Sequence, residues 1–359
     1  MSKSLLYLPD ISGFTEFVQT TEIGHSQHVI SELLEVLIKA NTLNLKLAEI
    51  EGDALFLYKE EIPSLEQLLA QVETMFTAFY SHLKLLEQNR ICPCKACSTA
   101  PNLQLKIIAH SGELQFITVQ DKRKPFGIEV IEVHRLMKNN VDSDNYVLFT
   151  QDLTNNIELT DNYQSKLFDF KKGENVYDGK NIAYLFSLIS KTKLKIKPST
   201  QLKNLIFDFP PQISFEKIMP LPAPQLFEYL TNYRYRSEWV EGVDKFEFNS
   251  NEVTRLGTEH VCVINTKQLN FVTVTKEVES NQLVYGEMTT SPYPVDELYQ
   301  FYMLTPTSEN SCNLKIEVYW KAKSPIKKII LKFFAKKALR KNTQLALEKI
   351  LQFAKKNKA

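Results

Sequence analysis

Residues 5–15 read Leu-Leu-Tyr-Leu-Pro-Asp-Ile-Ser-Gly-Phe-Thr. The apolar run Leu5–Leu8 predicts a strand, and Pro9 and Asp10 close it, so a carboxylate stands at the strand's end. Gly13 has no side chain to keep backbone N–H groups away from a ligand, and Phe14 can pack beneath the turn. Working outward, Val29, Ile30, Leu33, Leu34, Leu37 and Ala40 recur at three- and four-residue spacing, which predicts a helix laid against a sheet. Leu45–Tyr58 then reads as a hairpin turning at Glu51-Gly52-Asp53, which puts a second carboxylate at a strand end.

Ser64 and Gln67 have capping-box spacing ahead of Leu68, Leu69, Val72, Phe76, Phe79, Tyr80 and Leu83, so a second long helix is expected. Leu103–Ala109 and Leu114–Val119 read as a strand pair around Ser111-Gly112, and Gly127–Asn139 as a further helix. The order βαββαβ implies an α+β domain with a ferredoxin-like sheet covered by helices. From Lys191 to Pro211, lysines mix with prolines and periodicity is lost, which marks a linker. The expected domains are residues 1–195 and 212–359, joined by 196–211. The second opens with a strand at Ile213 and Phe215, then a helix introduced by Pro222 and Pro224. Strands follow to Trp320, and a long helix from Pro325 to Lys356 closes it.

With 359 residues, 43% of them hydrophobic, the chain can build two ordinary cores. A formal net charge of +1 gives no global field toward nucleic acid, so no nucleic-acid partner is expected. The N-terminus fits neither a signal nor a transit peptide, and no run of 18 apolar residues occurs. Five cysteines, three of them at Cys92, Cys94 and Cys97, do not look like a disulfide framework, so a cytoplasmic, reducing setting is expected.

Asp10-Ile11-Ser12-Gly13-Phe14-Thr15 resembles the D-[IVL]-x-G-F-T signature of class III nucleotidyl cyclases, and Glu51-Gly52-Asp53 resembles their second metal hairpin. The resemblance covers roughly residues 5–150 and resembles an uncharacterised bacterial branch of that superfamily. It implies that Asp10 and Asp53 hold Mg²⁺ or Mn²⁺, with Ile11, Gly13, Phe14 and Thr15 around the nucleotide's phosphates. It puts Glu49 and Lys124 at the two base-reading positions. A glutamate accepts from guanine N1–H and its 2-amino group, which favours guanine, while Lys124 matches neither residue usual there. Glu49 reads equally as a solvent-facing strand residue. Phe126-Gly127-Ile128-Glu129-Val130-Ile131-Glu132-Val133-His134-Arg135 is similar to the family's F-G-x-x-V-N-x-A-x-R. Arg135 keeps the catalytic arginine, but Ile131 replaces the ribose-orienting asparagine, and both act in the family from a partner subunit. A homodimer with weak or absent turnover is therefore expected. His110-Ser111-Gly112 resembles the family's H-[ST]-G segment and is given a structural role, and His134 a packing or surface one.

The C-x-C-x-x-C of Cys92, Cys94 and Cys97 offers three soft ligands for Zn²⁺, with His82, His110, a partner chain or water as the fourth, or else three reduced thiols in a proline-containing loop. From Ile213 onward the chain resembles the helix-grip superfamily of START and Bet v 1-like (SRPBCC) proteins. The resemblance rests on the opening strand, the Pro-x-Pro helix start, Arg236-Ser237-Glu238-Trp239 and the terminal helix. That implies an apolar cavity for a hydrophobic small molecule or lipid, with Trp239, Phe271, Tyr285, Tyr299, Phe301, Tyr302, Phe333 and Phe334 as candidate lining. The last helix is basic and amphipathic. Its apolar side either grips the sheet, the reading preferred, or lies on anionic lipid as a peripheral membrane contact. The leading expectation is a cyclase-like domain that binds a purine nucleoside triphosphate, joined to a ligand-binding domain. The alternatives are a non-enzymatic sensor whose cyclase fold only dimerises, and a structural assembly held partly by zinc.

Overall fold

The computed structural model describes residues 3–197, 204–264, 266–290 and 294–358. The chain runs β1 (Ser4–Ser12), α1 (Phe14–Thr20), α2 (Ile23–Lys39), β2 (Lys46–Glu51), β3 (Ala54–Lys59), α3 (Leu65–Gln88), α4 (Lys95–Thr99) and β4 (Gln104–Gly112). It continues with β5 (Gln115–Val119), β6 (Lys122–Phe126), α5 (Ile128–Arg135), β7 (Tyr146–Thr150), α6 (Gln151–Asn156), β8 (Lys171–Tyr177) and β9 (Lys180–Leu188). Then come β10 (Ile213–Met219), α7 (Ala223–Thr231), β11 (Lys245–Phe248), β12 (Glu259–Ile264), β13 (Lys267–Val274), β14 (Leu283–Thr289), β15 (Glu297–Ser308) and β16 (Ser311–Lys321). Two helices, α8 (Pro325–Ile330) and α9 (Lys336–Lys356), follow, joined by a π-helical turn at Leu331–Ala335. The chain divides into two compact units, Met1–Leu85 with Thr99–Ser199, and Leu86–Ser98 with Thr200–Ala359. The sequence boundaries kept the cysteine loop in the first domain, whereas its contacts group it with the second.

The first unit is built on a mixed sheet ordered β2-β3-β1-β4-β7-β9-β8. Its first four strands, β2-β3-β1-β4, are antiparallel, as the βαββαβ reading requires. All nine residues of β1 are buried, which explains its nearly continuous apolar run. Helix α2 buries Val29, Ile30, Leu33, Leu34 and Leu37, the stripe read from the sequence. The capping box before α3 closes reciprocally: the Ser64 amide donates to Gln67 Oε1 at 3.1 Å and the Gln67 amide to Ser64 Oγ at 3.3 Å. One pairing differs from expectation. Strand β5 pairs with β6 in a separate hairpin rather than with β4, which instead takes β1 and, in parallel, β7 as neighbours. The reason is burial: β4 is apolar enough for the sheet's centre, whereas β5 is mostly exposed.

The second unit has one antiparallel sheet ordered β10-β16-β15-β14-β13-β12-β11. One face packs against α7 and the end of α9, with Leu226, Leu230, Trp239, Tyr302, Leu347 and Ile350 in a single buried cluster. On the opposite face Phe207 stacks on Tyr319 at 4.1 Å, beside Tyr299 and Phe301. This corrects the cavity lining expected from sequence. Alternation along β15 sends Tyr299 and Phe301 to the face opposite Tyr302. Phe333, at 66% exposure, lines no interior either. The Phe334 side chain lies outside the described residues.

Candidate functional site

β1 carries Asp10 two residues before its end at Ser12, where it is 6% exposed. The β2–β3 turn brings Asp53 alongside: Gly52 takes the left-handed backbone the turn needs (φ 68°), and the Ile11 amide donates to the Asp53 carbonyl at 3.1 Å. Burial, and then the charge of Asp10, push the Asp53 carboxyl up to about 6. A third group, which the sequence reading missed, completes the cluster. Lys106 on β4 sits opposite Asp10 in the strand register and places its ammonium 2.8 Å from the Asp10 carboxylate. The signal available was its position four residues before His110, on the strand that flanks β1. Crowded, half-buried carboxyl oxygens are hard donors whose mutual repulsion a divalent cation relieves, so these residues fit Mg²⁺ or Mn²⁺. Gly13 begins α1 at φ 88°, a backbone that strains any other residue. Ile11 is wholly buried, Phe14 is half-buried and Thr15 is exposed, so Ile11 can serve a ligand only through its backbone.

The other sequence candidates meet in a groove of about 750 Å³, lined by Glu49, Lys124, Ile131, His134 and Arg135, among others. A bulge between Leu47 and Glu49 in the β2–β3 pairing re-aims Glu49 there. Glu49 pairs with Lys124 at 2.9 Å, His134 with Glu51 at 3.0 Å, and Arg135 with Asp178. Ile131 is 52% exposed, an apolar side chain on the groove wall that can donate nothing. His134 also packs edge-on against Phe56 at 4.9 Å, so it both packs and lines the groove. Asp10 and Asp53 are not part of this lining. The first unit thus carries two separate features, a carboxylate pair and a groove that holds Glu49, Lys124 and Arg135. His110 is fully buried between Thr150 (2.8 Å) and Glu129 (2.5 Å), a tie between β4, the β7 end and α5.

In the second unit the sulfurs of Cys92, Cys94 and Cys97 lie within 4.8 Å of one another. The Cys94 amide donates to Cys92 Sγ at 3.5 Å and the Cys97 amide to Cys94 Sγ at 3.3 Å. Cys92 and Cys97 are buried. The histidines considered as fourth ligand are engaged in the first unit, His82 by Glu32 at 2.9 Å and His110 as described.

A second cluster in this unit was not foreseen as a cluster, although Arg236, Phe271 and Tyr285 were singled out from the sequence. Strands β12 to β14 bring His260, Phe271, Thr273, Tyr285 and Glu287 together, and the turn after α7 lowers Arg236 onto them. Arg236, Glu287 and His260 are 4%, 2% and 1% exposed. Arg236 donates to Glu287, as does the Tyr285 hydroxyl, and the guanidinium lies 4.3 Å from the Trp239 ring. Burial pulls Glu287 upward, but Arg236 and His260 outweigh it and hold the carboxyl below its usual range. Among the described residues, Arg236 Nε and Nη1 and both ring nitrogens of His260 make no hydrogen bond, although His260 Nε2 lies 3.6 Å from Glu287. Each such buried polar atom costs roughly 1–3 kcal/mol unless something meets it. Burial lowers His260 to about 4, so it is neutral at physiological pH.

Comparisons with known proteins give the following. A family model described as a protein of unknown function (DUF2652) matches residues 30–146, a span that includes Glu49, Asp53, the three clustered cysteines, Lys124 and Arg135 but not Asp10. The uncharacterized protein Rv2561/Rv2562 of Mycobacterium tuberculosis is 31% identical over 121 residues, 34% of this chain and 57% of that protein. The chain therefore spans little more than half of that relative's length. The adenylyl cyclase CyaB from P. aeruginosa is similar in structure over 54% of this chain and 96% of its own, at 16% identity and a TM-score of 0.39. A norcoclaurine synthase point mutant from Thalictrum is similar over 41% of this chain and 95% of its own, at 13% identity and a TM-score of 0.33. Among the described residues, no helix is long and apolar enough to cross a membrane.

Proposed function

We propose that the first unit binds a purine nucleoside triphosphate with Mg²⁺ or Mn²⁺ in a site completed by a second copy of the chain, with weak or absent cyclising turnover. The observation that carries this reading is the Asp10–Asp53 pair, two carboxyls at neighbouring strands of one sheet, close enough for the charge of Asp10 to raise Asp53. When bound there, the ion supplies charge to the triphosphate and activates the 3′-hydroxyl. Lys106, freed from Asp10, is then a cation beside the phosphates. The groove supports the other half. Glu49 can accept from guanine once Lys124 lets go, which gives guanine a slight advantage, and Arg135 can meet phosphate charge once it leaves Asp178. Ile131 leaves the ribose unoriented, and loss of one positioned donor lowers rate by on the order of 10²–10³. Calorimetry with GTP, ATP, CTP and UTP in Mg²⁺ or Mn²⁺, with cyclic products measured alongside, tests this. The expected result is metal-dependent purine binding that Asp53→Asn abolishes. Absence of both binding and product would sink it and leave the sensor reading, in which the first unit only dimerises.

The cysteine trio supports Zn²⁺ as its ion, since three converging sulfurs steadied by backbone N–H donors supply three corners of a tetrahedral soft site. Stoichiometric zinc in the wild type, lost in Cys94→Ser, is the expected result. A metal-free wild type refutes it.

A second reading concerns the second unit as a helix-grip ligand holder. The Arg236 and His260 nitrogens that make no hydrogen bond among the described residues favour a ligand that brings an oxygen acceptor to a mainly apolar interior, rather than a wholly apolar one. Mass spectrometry of extracted small molecules checks this, and a co-purified hydrocarbon without oxygen would count against it.

A further inference from the structure

The terminal basic helix behaves as two different helices. Its later part, α9, buries Thr343, Leu347, Ile350 and Ala354 at spacings of four, three and four, and these grip the sheet. Its beginning, α8, buries no residue at all. Ile326, Ile329 and Phe333 are instead 67%, 58% and 66% exposed, and their spacing of three and four sets them along one side. Large apolar side chains scattered singly over a surface need no explanation, but three in one helical stripe do.

The surroundings say what chemistry meets that stripe. Lys328, Lys336 and Lys337 are exposed next to it in sequence. A cleft of about 510 Å³ is lined by Lys321, Lys328 and Lys336 together with Gln212 and Trp320. Of the lysines here, Lys327 is already neutralised by Asp296 and the cleft's Lys321 by Glu297 at 3.0 Å, which leaves Lys328 and Lys336 in the cleft. An apolar stripe flanked by cations, with a lysine-lined cleft beside it, is complementary to one kind of surface: hydrocarbon lying under anionic phosphate headgroups.

We propose that α8 and the π-helical turn after it dock the second unit peripherally on a bilayer containing anionic phospholipid. Ile326, Ile329 and Phe333 enter the acyl boundary, and Lys328, Lys336 and Lys337 meet phosphates. The grip reading and the membrane reading of the terminal helix are thus assigned to successive stretches of one helix. Docking needs neither nucleotide nor metal, so it stands or falls separately from the first unit's chemistry.

The test is co-flotation of the full chain with vesicles of phosphatidylcholine alone and of phosphatidylcholine containing about one-third phosphatidylserine. The expected result is binding to the anionic vesicles at least about tenfold stronger than to the neutral ones, weakening as salt rises. Ile329→Glu and Phe333→Glu should each lower it by about tenfold or more, with melting temperature unchanged because neither side chain belongs to the core. Lys336→Ser with Lys337→Ser should lower the anionic preference while sparing the fold. No binding to either vesicle overturns the proposal, as does equal binding to both. Binding untouched by Ile329→Glu and Phe333→Glu overturns it too. Concentration-dependent self-association that these variants abolish, without vesicle binding, reassigns the stripe to a second copy of the chain and equally overturns it.

Discussion

The groove of the first unit and the Arg236 cluster of the second contain the same kinds of side chain, arranged to opposite ends. In the groove, Glu49 and Lys124 are about half exposed, with side-chain exposures of 46% and 37%, and their ion pair lies in water. In the cluster, the Arg236 and Glu287 side chains are 5% and 2% exposed, and their pairing is enforced by the cost of leaving either charge alone. Screened pairs exchange partners cheaply, which a site that must accept a charged ligand requires. Sealed pairs hold a fixed geometry and cannot be removed one at a time.

That contrast breaks first at Arg236. Arg236→Met strands the Glu287 carboxylate and should cost about 3–5 kcal/mol in urea unfolding, while the double change with Glu287→Gln should recover much of it. A loss below about 1 kcal/mol would mean the cluster is wetter than described.

His260 sharpens the same point through pH. Its folded value, lowered from 6.5 to about 4, means that the unfolded chain takes up a proton first as acid is added. Stability from this group is complete above about 6.5 and drains away as pH falls toward about 4, on the order of 3 kcal/mol in all. His260→Phe, which keeps the ring stacked 5.0 Å from Phe271, should flatten that window. An unchanged acid limb would contradict the burial assigned to the ring.

Smaller effects belong to the first unit. Ser64→Ala removes one side of the reciprocal cap on α3 and should cost about 1 kcal/mol by thermal unfolding. Lys124→Ala, which opens the Glu49 pair, should cost well under about 1 kcal/mol yet change nucleotide affinity if the groove reads a base. Equal affinity for GTP in Lys124→Ala and wild type would take Lys124 out of the site.

What could be read from the sequence follows from what is local. The Gly52 turn and the α3 cap are decided by a few adjacent residues, and the structure keeps both, whereas the first strand runs past the expected stop at Asp10 to Ser12. Lys106, by contrast, reaches Asp10 only through strand register, and Arg236 reaches Glu287 across 51 positions of sequence. The β5–β6 hairpin was misread because adjacency along the chain favoured pairing β5 with β4, whereas burial gave β4 to β7. The terminal helix was legible in its periodicity but not in where burial stops. Ile329 and Ile350 look alike in the pattern, and only packing leaves the first exposed and buries the second.

The most direct test of the central claim, that the carboxylate pair of one copy and the groove of another make one nucleotide site, is complementation. Asp53→Asn and Arg135→Ala proteins should each fail to bind GTP in the presence of Mn²⁺. After equal mixing and exchange, half of the dimers are mixed and each has one intact site, so about a quarter of the wild-type stoichiometry should return in calorimetry. Recovery at that level is the predicted result; full binding by either variant alone, or none after mixing, would contradict the account.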